Sequence, residues 1–178
     1  MPNDTIPYIT MNFEGVLYLA PYSSSTPLVS PYGNSVNTES ETITLASGVI
    51  RAENVRNVKL SYSDTEVDAT LRRHRGNKAY ARGMRDFNAT LDIANVKNSN
   101  GTYPPDVALF LGSLDNRRKM FTAFFLDEEL GTGPFGDFLV FFGDGGDGDD
   151  DIDKWSATLR PATFGRALDV FTTPQPNE

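Results

Sequence analysis

The sequence contains no cysteine and a single histidine among its 178 residues. The absence of cysteine excludes disulfide bonds and thiolate metal sites, so the redox compartment stays open. No stretch approaches the roughly 18 to 20 consecutive apolar residues that span a bilayer, and we expect no membrane segment. The N-terminal MPNDTIPYIT has neither a basic region nor an apolar core, so it predicts no secretory signal peptide.

Basic residues are scarce relative to acidic ones. The 16 Lys and Arg residues stand against 24 Asp and Glu, which gives a formal net charge of −8. A nucleic-acid-binding surface normally needs a basic patch that neutralises phosphates, and this balance argues against one. The hydrophobic content of 39% predicts a packed core rather than a disordered chain. The length suits one domain, and we assign residues 1–178 to it.

Signatures of catalysis are missing as well. His74 lies in the polar segment LRRHRGNK, and the sequence has no G-x-S-x-G motif. Glu128 and Glu129 are adjacent and are expected to be solvated, so they give no support to acid–base hydrolysis. The stretch GTGPFG (131–136) matches the dinucleotide-binding glycine pattern, but it precedes a strand instead of a helix and predicts a hairpin turn. We therefore predict no enzymatic activity and no cofactor.

Alternating patterns predict strands in two segments, MRDFNATLDIAN (84–95) and WSATLRP (155–161). In the first, the residues that face the core are Phe87, Ala89, Leu91 and Ile93. Two further segments, MFTAFFLD (120–127) and DFLVFF (137–142), are apolar on both faces, so each is expected between two layers or inside an interface. Weaker strand patterns occur in FEGVLYLA (13–20), ETITLA (41–46), NVRNVKLSY (54–62) and RALDVFT (166–172).

Only one segment has a helical period. Apolar residues recur at Val107, Phe110, Leu111 and Leu114, which predicts a short helix over about 105–116. Asp106 either caps this helix or lies with Pro105 in its first turn. The Pro- and Ser-rich segment at about 21–40 is expected to be a loop or an arm, and the C-terminal end at about 172–178 a flexible tail. These elements predict a mainly β fold with one short flanking α-helix.

Residues 145–153, GGDGDDDID, match the calcium-binding nonapeptide G-G-x-G-x-D-x-U-x. In β-rolls, successive copies of this motif supply the calcium ligands, whereas this sequence holds one copy. An EF-hand alignment that starts at Asp147 also fails, because it places Ile152 where the loop requires glycine. We favour a solvated acidic loop. The alternative function is a calcium-dependent β-sandwich binding module that uses the acidic loop 144–153.

Charge is segregated along the chain. Residues 72–85 carry six basic and no acidic residues, whereas 144–153 carry six aspartates. Both segments could serve solubility alone; in a self-assembling protein, they would orient one copy on the next. On the second interpretation, the subunit or ring interface candidates are Arg72, Arg73, Arg75, Lys78, Arg82, Asp144, Asp147, Asp149, Asp150, Asp151 and Asp153.

Five segments follow one another in a set order: VRNVKLSYSDTEVDATLRR, ARGMRDFNATLDI, DVALFLGSLDNRRKMFTAFFLD, GDFLVFFG and the closing WSATLRPA. Over about residues 50–173, this order resembles that of bacteriophage tail tube (major tail) proteins. The resemblance implies an antiparallel β-sandwich or partial barrel, with the helix packed against it and a long β-hairpin. The Pro- and Ser-rich segment at 21–40 departs from the family pattern.

The resemblance implies a structural role without catalysis. Tail tube proteins assemble into rings, usually hexameric, that stack into a hollow conduit for the genome. For this chain, it implies self-association, contacts with tail terminator, tape measure and baseplate or distal tail proteins, and a place in the virion tail after assembly in the host cytoplasm. An acidic lumen would repel phosphates and let DNA pass without sticking.

Overall fold

Nine strands and one helix make up the regular structure of the described residues. The computed structural model describes residues 9–33, 44–68, 80–115, 119–143, 154–162, 165–166 and 168–172; for 9–12, 64–68, 80–85 and 113–115 it describes the backbone alone. In chain order the elements are β1 (Ile9–Asn12), β2 (Val16–Pro21), β3 (Ile50–Arg51), β4 (Val55–Asp68), β5 (Tyr80–Ala94), α1 (Pro105–Asp115), β6 (Phe121–Leu126), β7 (Thr132–Phe142), β8 (Lys154–Pro161) and β9 (Asp169–Thr172).

All the strand pairs are antiparallel, and the strands lie in the order β1-β4-β5-β8-β7-β6-β2-β3, with β9 paired to β7. Since β6 occupies one edge of β7, β8 and β9 share the other: β8 pairs with 138–142 and β9 with 132–135. Among the described strands, the two ends of the sheet do not pair with each other. These features confirm the predicted mainly β fold of sandwich or partial-barrel type, with its short helix and a long hairpin formed by β4 and β5.

The alternating pattern of 84–95 predicted the inward face of β5 correctly. The buried residues on this face are Phe87, Ala89, Leu91 and Ile93. On the neighbouring strand β8, Ala157 and Leu159 are buried beside them. The opposite face is polar, and there the Asp92 carboxylate lies 3.5 Å from Nζ of Lys154.

Both faces of β6 are buried, as its doubly apolar sequence predicted. Phe121 and Phe125 face the main core, whereas Phe124 faces a second cluster completed by Phe135 and Phe171. The second cluster forms because β9 and the loop that precedes β3 cover the outer side of β6 and β2. This second layer gives the sheet its two-sided burial at this point.

In β7, the apolar segment 137–142 is buried over only part of its length. Phe138 is completely buried in the main core, but Phe141 is 50% exposed and its ring lies 5.5 Å from the guanidinium of Arg160. The expectation of burial between two layers is therefore met at the start of the segment and not at its end. The other expectation, burial in an interface, stays a prediction for Phe141.

The helix α1 packs on the main core through Val107 and Phe110, both of which are fully buried. Pro105 and Asp106 lie in its first turn, which decides between the two alternatives stated above. The buried Asp106 carboxylate accepts hydrogen bonds from the backbone nitrogen of Asn54 at 2.9 Å and from its Nδ2 at 3.0 Å. These bonds tie the start of the helix to the connection between β3 and β4.

The Pro- and Ser-rich segment, over its described part 21–33, packs on the sheet as a loop. Leu28 contacts the second cluster, and the Pro31 carbonyl accepts a hydrogen bond of 2.9 Å from the backbone nitrogen of Ala46. Burial raises the pKa of Tyr32 to about 12, and its hydrogen bond with Tyr18 adds to this effect. These contacts favour a loop over an arm for 21–33, and residues 34–40 lie outside the described part.

Two weaker strand predictions need correction. ETITLA (41–46) has no strand over its described residues 44–46. In RALDVFT, only Asp169–Thr172 forms a strand, because the chain leaves the edge of β7 after Pro161 and returns to it at Asp169. Thr172, at the start of the predicted flexible tail, pairs with Thr132 instead, and 173–178 lie outside the described residues.

Candidate assembly surfaces

The hairpin of β4 and β5 extends past the strands beside it. Its ladder runs out to the pair Asp68 and Tyr80. On its outer edges, β1 pairs with β4 only as far as Tyr62, and β8 pairs with β5 only from Ala89. Among the described strands, none flanks the hairpin beyond these points. Six residues of β4 beyond Tyr62, at about 3.3 Å each, give a two-stranded ribbon roughly 20 Å long.

Of the predicted interface residues, one lies in the described backbone. Arg82 is in β5 opposite Glu66, and Arg85 follows it on the same strand opposite Asp64. The others lie outside the described residues: Arg72, Arg73, Arg75, Lys78, Asp144, Asp147, Asp149, Asp150, Asp151 and Asp153. Since β7 ends at Phe142 and β8 begins at Lys154, the acidic segment connects two neighbouring strands.

A buried carboxylate, Asp137 of β7, joins four segments of the chain. Its Oδ1 accepts hydrogen bonds from the Thr122 hydroxyl at 2.7 Å and from Nη2 of Arg166 at 3.0 Å. Its Oδ2 accepts from the backbone nitrogen of Arg166 at 2.8 Å and from Nε at 3.0 Å. Nη1 of the same arginine donates to the Leu28 carbonyl. One guanidinium thus connects β6, β7, the stretch before β9 and the loop 21–33.

The environment of Asp137 stabilises its charged form. Burial raises the pKa of Asp137, but the hydrogen bonds from Arg166 and Thr122 and the positive charge of Arg166 outweigh burial, so this pKa lies below the usual carboxyl range. The guanidinium also lies 5.4 Å from the ring centroid of Phe135. Since both carboxylate oxygens are engaged, we interpret the pair as a structural ion pair and not as an acid–base site.

A cleft of about 540 Å³ opens beside the root of the hairpin. Its apolar floor includes Leu60 and Phe125, both buried, and the half-buried Phe13. The wall formed by β7 stands very close to this floor: a Cβ at Gly133 would lie 1.6 Å from the Phe125 carbonyl oxygen, so only glycine fits there. Four carboxylates form the rim of the cleft, those of Glu14, Asp127, Glu128 and Glu129.

The turn between β6 and β7 shapes this acidic rim. Oδ1 of Asp127 accepts hydrogen bonds from the backbone nitrogens of Glu129 at 3.0 Å and Leu130 at 3.1 Å. The backbone nitrogen of Asp127 also donates to the Thr132 carbonyl at 3.0 Å, which closes the hairpin. Glu128 and Glu129 are exposed, as expected from the sequence. Leu130, which follows them in the turn and also lines the cleft, is 72% exposed. The hairpin turn predicted from GTGPFG is confirmed, but only Gly131 lies in the turn itself.

Sequence reasoning missed both the Asp137–Arg166 pair and the cleft. A lone aspartate within the apolar run GDFLVFF was a usable signal, because a charge in a buried strand needs a partner. No such signal marks the cleft. Its residues come from three separate segments, around 13–15, 60–62 and 125–134, which only folding brings together.

The described residues hold no group of three or more His, Asp or Glu side chains placed to bind a metal ion. They also include no helix that is long and apolar enough to cross a membrane. His74 and the acidic loop 144–153 lie outside the described part of the chain. No protein-family model matches the sequence, and no curated protein matches it either.

Proposed function

We propose that this protein is a structural subunit of a bacteriophage tail tube, in which copies form stacked rings around a conduit for the genome. The observation that carries the proposal is the β4–β5 hairpin, which extends roughly 20 Å beyond the described strands that flank it. A two-stranded ribbon by itself is at best marginally stable in water. Its outer backbone edges suit pairing with strands of adjacent copies, and a closed ring removes such edges.

The end of β7 adds support for an interface. Phe141 is 50% exposed, and its neighbours Leu139 and Val140 are partly exposed, although this segment is apolar on both faces. Burial of such an exposed aromatic side chain against a neighbouring copy would favour association of the two copies. The order of the described strands supports the same conclusion, since β1 and β3 are its two ends and each pairs with only one of these strands.

On this proposal, the protein acts by self-association, without catalysis and without a cofactor. The family resemblance supplies the hexameric ring, the location in the virion tail after assembly in the host cytoplasm, and the partners: tail terminator, tape measure and baseplate or distal tail proteins. DNA would pass without specific binding, because the net charge of −8 opposes contact with phosphates.

Electron microscopy of the purified protein over a series of concentrations tests this function. Rings, or tubes of uniform diameter, are the expected result. Monomeric particles at every concentration, also after addition of the other tail proteins, would contradict it. Calorimetry with calcium distinguishes the tail tube subunit from the alternative function. A saturable heat at millimolar calcium would favour the calcium-dependent binding module.

A further inference from the structure

The cleft at the root of the hairpin combines apolar residues with four carboxylates. We propose that this cleft, bounded by Glu14, Glu128 and Glu129, binds the basic segment 69–79 of a second copy of this chain; this segment, which connects β4 to β5, is called the tip below. The inference rests on the proposed self-assembly and names a contact that links one copy to the next.

The cleft combines an apolar floor with an acidic rim. The rings of Phe13 and Phe125 meet edge to face at 5.7 Å, and Leu60 is buried beside them. Long basic side chains bury their aliphatic stems on apolar surface and keep their charged ends at the polar margin. Exposed carboxylates at the rim, such as those of Glu128 and Glu129, are placed to accept charge-assisted hydrogen bonds from those ends.

The charges of the cleft and of the hairpin tip are complementary. The described residues that line the cleft include four carboxylates and no lysine or arginine. Residues 69–79, which connect β4 to β5 beyond the end of the ladder, carry four basic residues and no acid: Arg72, Arg73, Arg75 and Lys78. Opposite potentials of this kind steer two surfaces together and fix their register, even where each exposed ion pair contributes little affinity.

The tip must come from another molecule. Leu60 and Tyr62 of β4 line the cleft, so the cleft lies at the root of the hairpin of its own chain. The ladder between β4 and β5 continues to Asp68 and Tyr80, roughly 20 Å further out at about 3.3 Å per residue. Bending that tip back into its own cleft would break the ladder. Because tip and cleft are different surfaces, the contact is head-to-tail, and repeating it closes a ring or extends a stack.

Cysteine cross-linking between two differently labelled copies tests the contact, and the natural sequence has no cysteine to interfere. One full-length copy carries Glu129→Cys at the rim, and the other carries Arg75→Cys in the basic segment. Under mild oxidation, we expect a mixed disulfide dimer at roughly ten times the yield of a control pair, since docking raises the effective concentration of the two thiols. The control pair replaces Glu129→Cys with Glu53→Cys, an exposed acid outside the cleft. Equal yields from both pairs would overturn the proposal.

Charge exchange provides a second test. In this test, the cleft copy carries Glu14→Cys at another rim position, and the other copy carries Arg75→Cys. Adding Glu128→Lys and Glu129→Lys to the cleft copy should lower the yield of the mixed disulfide. Adding Arg73→Glu to the other copy should then restore that yield. Circular dichroism checks that the variants fold, and we expect them to fold because the substituted rim residues are exposed. If Arg75→Cys instead cross-links preferentially to Asp149→Cys, the acidic segment 144–153 is the receptor, and the cleft proposal is wrong.

The outcomes also separate this inference from the proposed function. Tubes that form without any cross-link between tip and cleft would overturn the inference and leave the tail tube proposal standing. A strong mixed cross-link in a protein that never forms rings would uphold the contact and contradict the tube.

Discussion

Nη2 of Arg166 lies 3.0 Å from Oδ1 of Asp137, whose side chain is completely buried. The pair occupies the gap that β8 and β9 leave along one edge of β7, between Pro161 and Asp169. The backbone also closes this gap, because the nitrogen of Ala162 donates to the Asp137 carbonyl at 2.9 Å. Side-chain and main-chain bonds at Asp137 therefore replace the ladder that the excursion interrupts.

Removing the arginine should destabilise the fold. In Arg166→Met, the buried carboxylate of Asp137 loses its positive partner. We expect the free energy of unfolding to fall by about 3 kcal/mol. This value lies at the lower end for buried ion pairs because the arginine side chain is 27% exposed. Urea denaturation followed by circular dichroism measures this loss. Arg51→Met, at an exposed arginine of β3, is the matched control and should change stability by less than about 0.5 kcal/mol. Equal urea midpoints for the two variants would contradict the assignment.

The same carboxylate should make stability depend on acid. The folded-state pKa of Asp137 lies below the unfolded value of about 3.9. Its ionised form therefore stabilises the fold above that value, and this stability is lost as the pH falls through the lower folded pKa. Asp137→Asn should be less stable at about pH 5 and should lose less further stability on acidification than the natural protein. Melting temperatures between about pH 5 and pH 2 measure the difference, and parallel curves would refute the prediction.

Gly165 is required for the approach of Arg166 to Asp137. A Cβ at this position would lie 2.6 Å from Cβ of Asp137 and 3.3 Å from Cβ of Ala162. Gly165→Ala should therefore push the ion pair apart and cost about 1–3 kcal/mol. Gly143→Ala is the control, since its nearest neighbour atom would be at 3.6 Å, an ordinary contact. Thermal melts of both variants test this prediction. An unchanged melting temperature for Gly165→Ala would contradict it and would show that the surrounding chain adapts.

The distal hairpin should be needed for assembly and dispensable for folding. Ser63 pairs with Asp86, so replacing 64–85 with Asn-Gly closes the ribbon with a two-residue turn. The described core residues of these strands end at Leu60 and Phe87, so the shortened monomer should fold. It should form no rings by electron microscopy, while its thermal unfolding stays cooperative, as expected of a folded domain. Rings at normal yield would show that the distal hairpin is not needed for assembly and would contradict this prediction.

A full-length control separates length from charge in the hairpin. Arg72→Gln, Arg73→Gln and Arg75→Gln together keep the ribbon but lower its charge. If the charges guide docking, this variant should assemble more slowly and with weaker salt dependence, as light scattering would record. If the shortened chain fails to assemble and the glutamine variant assembles normally, the backbone edges of the hairpin, and not its charges, drive assembly.

Local patterns were reliable where burial follows the strand or helix period. The alternation in 84–95 predicted which residues of β5 are buried, and the i, i+3 spacing placed Val107 and Phe110 inward on α1. Alternation failed at RALDVFT, because a strand that must rejoin β7 after a loop cannot begin as early as its apolar pattern does. The segregation of basic and acidic segments was also visible, although a linear pattern contains no information on what either segment faces.

The amino-acid sequence by itself determined the strand-rich class, the short helix α1, the inward faces and the net charge, since each depends on composition or on residues a few positions apart. Tertiary structure alone decided that Asp137 meets Arg166, that Asp106 binds Asn54, and that an acidic rim surrounds an apolar cleft. These contacts join residues far apart in the chain. Their partners are chosen by the topology of the sheet, because a buried charge or an exposed carboxylate can be satisfied by many residues, and only the folded chain brings one of them within reach.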